Sequence, residues 1–371
     1  MKIAMFSESY KPYLNGPVKV ISLLKEELEK RGHKVYVFTS GKAEYEKDVF
    51  RSKKLNISQG YGLSFPIYFK ESIFEKIDIF HTHQPFLLGL YSLYKARKYD
   101  KKIVFTNHCQ YDAYVENYIP FIGKYLKKIV ARYVGWFINQ CDKTILPSET
   151  FKKQIIENYG AKEKKIKIIP NAITFPSIDK NLIKKIAKKY DLSGKNILTY
   201  VGRLGKEKNL PFLINVFHKV TSKKDNVLLF IMGGGPEIES LKNLVKELNE
   251  EKNIIFTGYI QNKEVFSYLA LSDVFVSAST SEIHPLTLLE AMYAGNTAIA
   301  LESPGFSDTI KNGKTGFLIK DKNEKLFAEA IINLINNPSK LKKMKVESKK
   351  SIKQYELKKV INKTINLYKS L

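Results

Sequence analysis

The stretch Val274-Phe-Val-Ser-Ala-Ser279-Thr-Ser-Glu282-Ile-His-Pro285-Leu-Thr-Leu-Leu-Glu290-Ala-Met-Tyr-Ala-Gly295 carries several signals in one line. It opens on a short apolar run that reads as a strand. Pro285 suits the first turn of a helix, where its missing N–H costs nothing. Gly295 suits the position just past that helix's C-terminus. The spacing therefore predicts a strand, a loop, and a helix beginning near Leu286. The free N–H groups of Leu286, Thr287 and Leu288 then point back toward the strand end and form an anion site. Glu282 falls in the loop and Glu290 in the helix. Amides take a phosphate and carboxylates take hydroxyls, so the pattern suggests a phosphorylated sugar. The competing reading is an ordinary strand-loop-helix corner with two surface glutamates.

The same alternation runs along the whole chain. Candidate strands fall into two sets of six: 2–6, 35–40, 79–83, 103–108, 144–148 and 166–171, then 197–202, 227–234, 254–259, 274–279, 297–303 and 316–320. Most are short, β-branched and apolar on both faces, as buried parallel strands are. Helical stretches such as 18–30, 209–219, 238–249 and 325–336 lie between them. Two sets of βαβ units predict an α/β protein of two doubly wound domains, 1–172 and 173–345. The lysine-rich, helical tail 346–371 is expected to pack back on the first domain. In such sheets ligands bind beyond the carboxyl ends of the strands, and two facing domains place one site in a central cleft.

Bulk properties narrow the partners. The 371 residues carry a net charge of +25, almost wholly from lysine, with Arg31, Arg51, Arg97, Arg132 and Arg203 the only arginines. The excess divides evenly, +13 over residues 1–172 and +12 over 173–371. With neither an arginine-rich cluster nor a known module, the charge does not predict nucleic acid as a partner. Two cysteines, Cys109 and Cys141, are too few for a disulfide scaffold and fit a reducing compartment. No apolar run approaches the ~20 residues of a membrane span. The first residues read as a strand rather than a signal peptide.

The residues after the strands are the informative ones. Arg203 and Lys208 place two cations on one loop, a forked one and a point charge, and suit a diphosphate. Met232-Gly-Gly-Gly235 opens the next helix, and Gly234 permits close backbone approach to a ligand. Gly16, after the first strand, suits an amide that reaches a phosphate. His108, in Thr106-Asn-His108-Cys-Gln-Tyr-Asp112, is a strand-end histidine with a structural or a catalytic role.

Together these segments resemble the retaining glycosyltransferases of family four, which have the two-Rossmann GT-B fold. The resemblance runs from Tyr10-Lys-Pro-Tyr-Leu-Asn-Gly16 through Ile79-Phe-His-Thr-His83, Pro170-Asn171 and 201–210 to the Glu282…Glu290 motif and Asn312-Gly-Lys-Thr-Gly316-Phe. It implies that Arg203 and Lys208 hold the donor diphosphate and that Glu282 faces the donor sugar. Glu290 would hold the ribose, the Gly16 amide a phosphate, and His108 would lie near the reacting carbon. Gly234 and Pro285 to Leu288 complete the implied nucleotide-sugar site. The sequence contains no D-x-D triplet, so neither a bridging metal nor a tightly bound cofactor is expected.

The acceptor is read from 117–139, which holds Lys124, Lys127, Lys128 and Arg132 and no acid. Lys124, Lys128 and Arg132 fall on one helical face, with Leu126, Ile129, Val130, Tyr133 and Phe137 on the other. This is either an amphipathic helix on an anionic membrane or a domain helix with a solvated lysine face. The aromatic stretch 61–69 is expected to extend the same surface. Within the family the pattern looks most like the bacterial diacylglycerol glycosyltransferases. These peripheral enzymes move glucose or galactose from a UDP-sugar onto a membrane lipid, which implies a cytoplasmic site on the inner membrane face. A polysaccharide, lipopolysaccharide or other lipid-linked glycan acceptor is the alternative within the fold. A non-catalytic polyanion-binding protein is the alternative outside it.

Overall fold

A computed structural model describes residues 1–13, 15–58, 61–65, 69–118 and 123–371. The chain forms two compact units, one of Met1–Val115, Phe121–Ala172 and Leu357–Leu371, the other centred on Ile173–Glu356. The tail 346–371 is therefore divided: 346–356 stays with the second unit, and the return comes at Leu357.

The first unit's sheet has eight strands: β1 Lys2–Phe6, β2 Lys34–Ser40, β3 Val49–Ser58, β4 Tyr61–Phe65, β5 Ile79–Thr82, β6 Lys102–Thr106, β7 Lys143–Leu146 and β8 Ile166–Ile168. Their order is β4-β3-β2-β1-β5-β6-β7-β8, parallel except where β4 returns antiparallel on β3. The sequence predicted six. The hairpin β3–β4 escaped because β3 carries Arg51, Lys53 and Lys54 and lacks the apolar signature of a buried strand. The stretch 61–69 thus forms β4 over Tyr61–Phe65; 66–68 lie outside the described residues, and Phe69 is buried.

Strand alternation sorts β1 onto two different cores. Ile3 and Met5 pack with Ile21 and Leu28 of the helix Gly16–Lys30 and with Val360, Ile361 and Tyr368 of the helix Leu357–Lys369. Phe6 faces the other way into stacked rings, 4.9 Å from Phe38 and 5.9 Å from Phe80 between centroids.

The second unit's sheet is wholly parallel: β9 Asn196–Val201, β10 Val227–Met232, β11 Ile254–Gly258, β12 Val274–Ser277, β13 Thr297–Leu301 and β14 Gly316–Ile319, in the order β11-β10-β9-β12-β13-β14. Every residue of β10 and β13 is buried, as strands covered on both faces require. Strand order reverses between β1 and β5 in the first sheet and between β9 and β12 in the second. The loops that leave those strands are where a doubly wound sheet opens a ligand crevice.

One close contact sets a measurable limit on the first unit. Gly135, in the helix Gly123–Gln140, lies against the end of the helix Glu149–Tyr159, and a Cβ there would sit 1.8 Å from the Tyr159 carbonyl oxygen. Gly135→Ala should destabilise the unit by about 1–3 kcal/mol, as overpacking against rigid backbone does. Thermal unfolding checks this; an unchanged midpoint would show that the two helices separate freely.

Candidate active site

In the second unit the loops after β9 and β10 are laced together. Gly202 N–H donates to the Met232 carbonyl at 3.0 Å, and Leu204 N–H to the Gly234 carbonyl at 3.0 Å. Gly233 has φ +134, and a Cβ there would lie 2.0 Å from the Gly202 oxygen. A Cβ at Gly234 would strike the Tyr259 ring at 2.5 Å. The Gly-Gly-Gly run thus has a packing reason of its own, loop against loop, which sequence reasoning assigned to a ligand.

The loop after β9 tightens into a turn at Lys206–Lys208, and Asn209 at φ 52 launches the helix Leu210–Thr221. This turn delivers Lys208 to Glu282, which arrives on the loop after β12. Their Nζ–Oε1 distance is 2.6 Å, with the side chains only 17% and 18% exposed. Burial disfavours the Lys208 cation, but the adjoining Glu282 carboxylate outweighs it and holds the pKa above the ordinary lysine value. Arg203 lies half-buried on the same loop, its carbonyl accepting from the Tyr200 hydroxyl at 3.0 Å.

Glu282 is braced from behind. Gly305 N–H donates to its carbonyl at 2.8 Å, and a Cβ on Gly305 would come within 2.4 Å of the Ile283 carbonyl carbon. Sequence reasoning missed Gly305; the only local signal was Ser303-Pro-Gly305 just after a strand. The helix spans Leu286–Ala294, with Pro285 as its N-cap and Gly295, at φ 99, as its left-handed C-cap. Leu286, Thr287 and Leu288 form its first turn, and Glu290 follows, 5% exposed. His284 precedes Pro285 on the same loop. It packs edge-on against Tyr355 at 5.0 Å, and burial lowers its pKa to about 4, so it is neutral at pH 7.

In the first unit, the Asn15 side chain caps the helix Gly16–Lys30 by accepting from Val18 N–H at 2.9 Å. Lys19 N–H donates to the Asn15 carbonyl, and Pro17 has no N–H. Gly16 opens this helix, and nothing lies within 4 Å of where its Cβ would be. His108 follows β6, its Nε2 2.9 Å from His83 Nδ1. Burial lowers the His108 pKa to about 4.

The helix Gly123–Gln140 buries Ala131, Val134, Phe137 and Ile138. Its outer face carries Tyr125, Ile129 and Trp136, 77%, 62% and 45% exposed, beside exposed Lys128 and Arg132. Ile129 therefore stands among the cations and not on the buried side where helical spacing placed it. Lys127 is half-buried, and the Lys124 side chain lies outside the described residues. Among the described residues no helix is long and apolar enough to cross a membrane.

Residues 14–175 match the family model "Glycosyltransferase Family 4" and residues 183–351 match "Glycosyl transferases group 1". The chain is 32% identical over 339 residues to the alpha-monoglucosyldiacylglycerol synthase of Streptococcus pneumoniae, spanning 86% of this chain and 75% of that one. The chain belongs to glycosyltransferase family four. A second relative, the alpha-monoglucosyldiacylglycerol synthase of Acholeplasma laidlawii, is 28% identical over 96% of this chain and 93% of its own length. Among solved structures, Anabaena Alr3699/HepE in complex with UDP and glucose superimposes with a TM-score of 0.84 at 15% identity, covering 100% of both chains. The fold of this glycosyltransferase is GT-B.

The Lys208–Glu282 pair makes a stability prediction. Lys208→Met or Glu282→Gln alone strands a half-buried charge, whereas the double variant removes both charges. The double variant should lose less than the sum of the singles, with a coupling of about 1–3 kcal/mol. The folded pKa of Lys208 lies above its unfolded value, so the contribution is complete at neutral pH and disappears only as pH rises through the alkaline folded value. Denaturant titrations of the four proteins at pH 6 and pH 8 should return about the same coupling. Additive single effects would mean that the pair contributes nothing.

Proposed function

We propose that this glycosyltransferase moves glucose or galactose from a UDP-sugar to 1,2-diacylglycerol, retaining the α-configuration, as a peripheral enzyme on the inner face of the cell membrane. The observation that carries the acceptor is the row Tyr125, Lys128, Ile129, Arg132 and Trp136 on one exposed helix face. Alternating aromatic or aliphatic side chains with cations suits an anionic lipid interface, where rings enter the headgroup layer and cations pair with phosphates. The two alpha-monoglucosyldiacylglycerol synthases that span most of the chain support the same acceptor.

For the donor, the two cations after β9 are the central feature. Arg203 and Lys208 would neutralise the diphosphate as charge develops on it, with the first-turn amides of Leu286, Thr287 and Leu288 adding fixed dipoles. Lys208 would exchange the Glu282 carboxylate for a phosphate oxygen. That exchange frees Glu282 to accept from a sugar hydroxyl, so one ion pair reads both halves of the donor. Glu290 would hold the ribose, Gly16 a phosphate oxygen, and His108 a donor oxygen near the reacting carbon. UDP-bound structural neighbours support this choice of nucleotide. The reading assigns no metal to the chemical step.

Purified protein in EDTA-containing buffer, given labelled UDP-glucose or UDP-galactose and vesicles containing diacylglycerol, should form a labelled lipid with one of the two donors. Arg203→Ala should lower kcat/KM by an amount equivalent to about 2–4 kcal/mol, the scale of losing one charge-stabilising donor. Incorporation only into a soluble glycan would replace the lipid by the glycan acceptor. A strict metal requirement would contradict the donor site.

Vesicle sedimentation tests the surface separately. Each cation near an anionic leaflet is worth about 1 kcal/mol, screened within a Debye length. Replacing Lys124, Lys127, Lys128 and Arg132 by glutamine should cut binding by orders of magnitude and flatten its salt dependence. Ile129→Ser with Trp136→Ser should weaken binding at low and high salt alike. If both variants sediment as the wild type does, the helix is ordinary scaffold.

A further inference from the structure

Three histidines meet at the ends of β5 and β6. Both ring nitrogens of His81 are engaged, Nδ1 with the Tyr368 hydroxyl at 2.6 Å and Nε2 with the Thr106 hydroxyl at 2.7 Å. His83 packs on His81 with ring centroids 4.2 Å apart and is 1% exposed. On its far side His83 Nδ1 lies 2.9 Å from His108 Nε2. Those two rings are 18° from coplanar with centroids 5.1 Å apart, the arrangement of rings joined edge to edge by a near-linear N–H···N bond. His83 Nε2 is buried and has no hydrogen-bond partner among the described residues.

One proton lies on that bond, and the orphaned nitrogen decides which ring supplies it. If His108 donated, neutral His83 would carry its own proton on Nε2, a buried N–H with no acceptor. Orphaned buried N–H groups are rarer than under-used acceptors, and leaving one unmade costs its desolvation. With the proton on His83 Nδ1, Nε2 keeps only a lone pair. His108 then accepts at Nε2 and carries its single proton on Nδ1. Burial keeps both rings neutral at pH 7, lowering His108 to about 4 and His83 well below the ordinary histidine value.

We propose that His83 is a positioning residue that fixes His108 as its Nδ1–H tautomer, leaving that N–H to donate to a ligand oxygen. His81 clamps the other face of His83, and Tyr368 ties His81 to the helix Leu357–Lys369, so the C-terminal helix helps to set the ring's angle. A neutral, Nδ1–H His108 is a fixed dipole and neither an acid nor a base in the transfer. Its use in the reaction rests on the donor placement of His108 proposed above; the tautomer does not.

Long-range ¹H–¹⁵N spectra of histidine-labelled protein read tautomers directly and need no variant. His83 and His108 should both appear as Nδ1–H forms in the free enzyme across about pH 6 to 8. His83→Phe keeps a ring but removes the donor; His108 should shift toward the Nε2–H form. The kcat should fall roughly ten- to hundredfold while the donor KM changes by less than about threefold, as expected for an interaction used in the transition state. An Nε2–H His108 in the wild-type enzyme overturns the proposal. So does a His83→Phe enzyme with unchanged tautomer and kcat. If His108 is Nδ1–H yet His108→Ala turns over at the wild-type rate, the tautomer assignment stands and the placement of His108 at the donor fails.

Discussion

A strand that pairs in parallel with its neighbour has to be followed by a crossover, and the crossover returns over a face of the sheet. Everything else in this chain depends on that constraint. Where both faces are covered the strands are apolar; β10, Val227–Met232, has no exposed residue. Within each sheet the parallel strands end at one edge. The cations after β9 and the glutamate after β12 follow carboxyl ends of strands in the second sheet, and the histidine after β6 follows one in the first.

Bringing loops together at one edge demands backbone contact closer than a side chain allows. The glycines at 233 and 235 let the loops after β9 and β10 hydrogen-bond, and Gly305 lets a neighbouring helix brace the carbonyl of Glu282. These contacts hold Lys208 and Glu282 in register although they stand 74 residues apart. A glycine with a packing reason and a glycine with a ligand reason look alike in a sequence, because both signify the same missing Cβ.

Protonation is fixed by opposite means in the two units. In the second, a carboxylate beside Lys208 overrides the cost of burial and keeps the ammonium charged. In the first, burial without a counter-charge lowers His81 to about 3 and His108 to about 4, leaving neutral rings that work through hydrogen bonds. Groups held in one state at pH 7 present constant electrostatics to a ligand, which suits stabilising developing charge more than moving protons.

The sequence by itself determined the parallel α/β class, the two sheets and the strand-loop-helix corner at Glu282, because each rests on local periodicity and on capping residues. The helix Leu286–Ala294 and its cap Gly295 lie where proline and glycine placed them. The edge hairpin β3–β4 was hidden, since an edge strand need not be apolar on both faces. The pairing of Lys208 with Glu282 and of His81 with Tyr368, 287 residues apart, was decided only by tertiary structure. So was the exposure of Ile129 beside Arg132. Helical spacing says which residues share a face, but only the neighbours packed against a helix decide which face water sees.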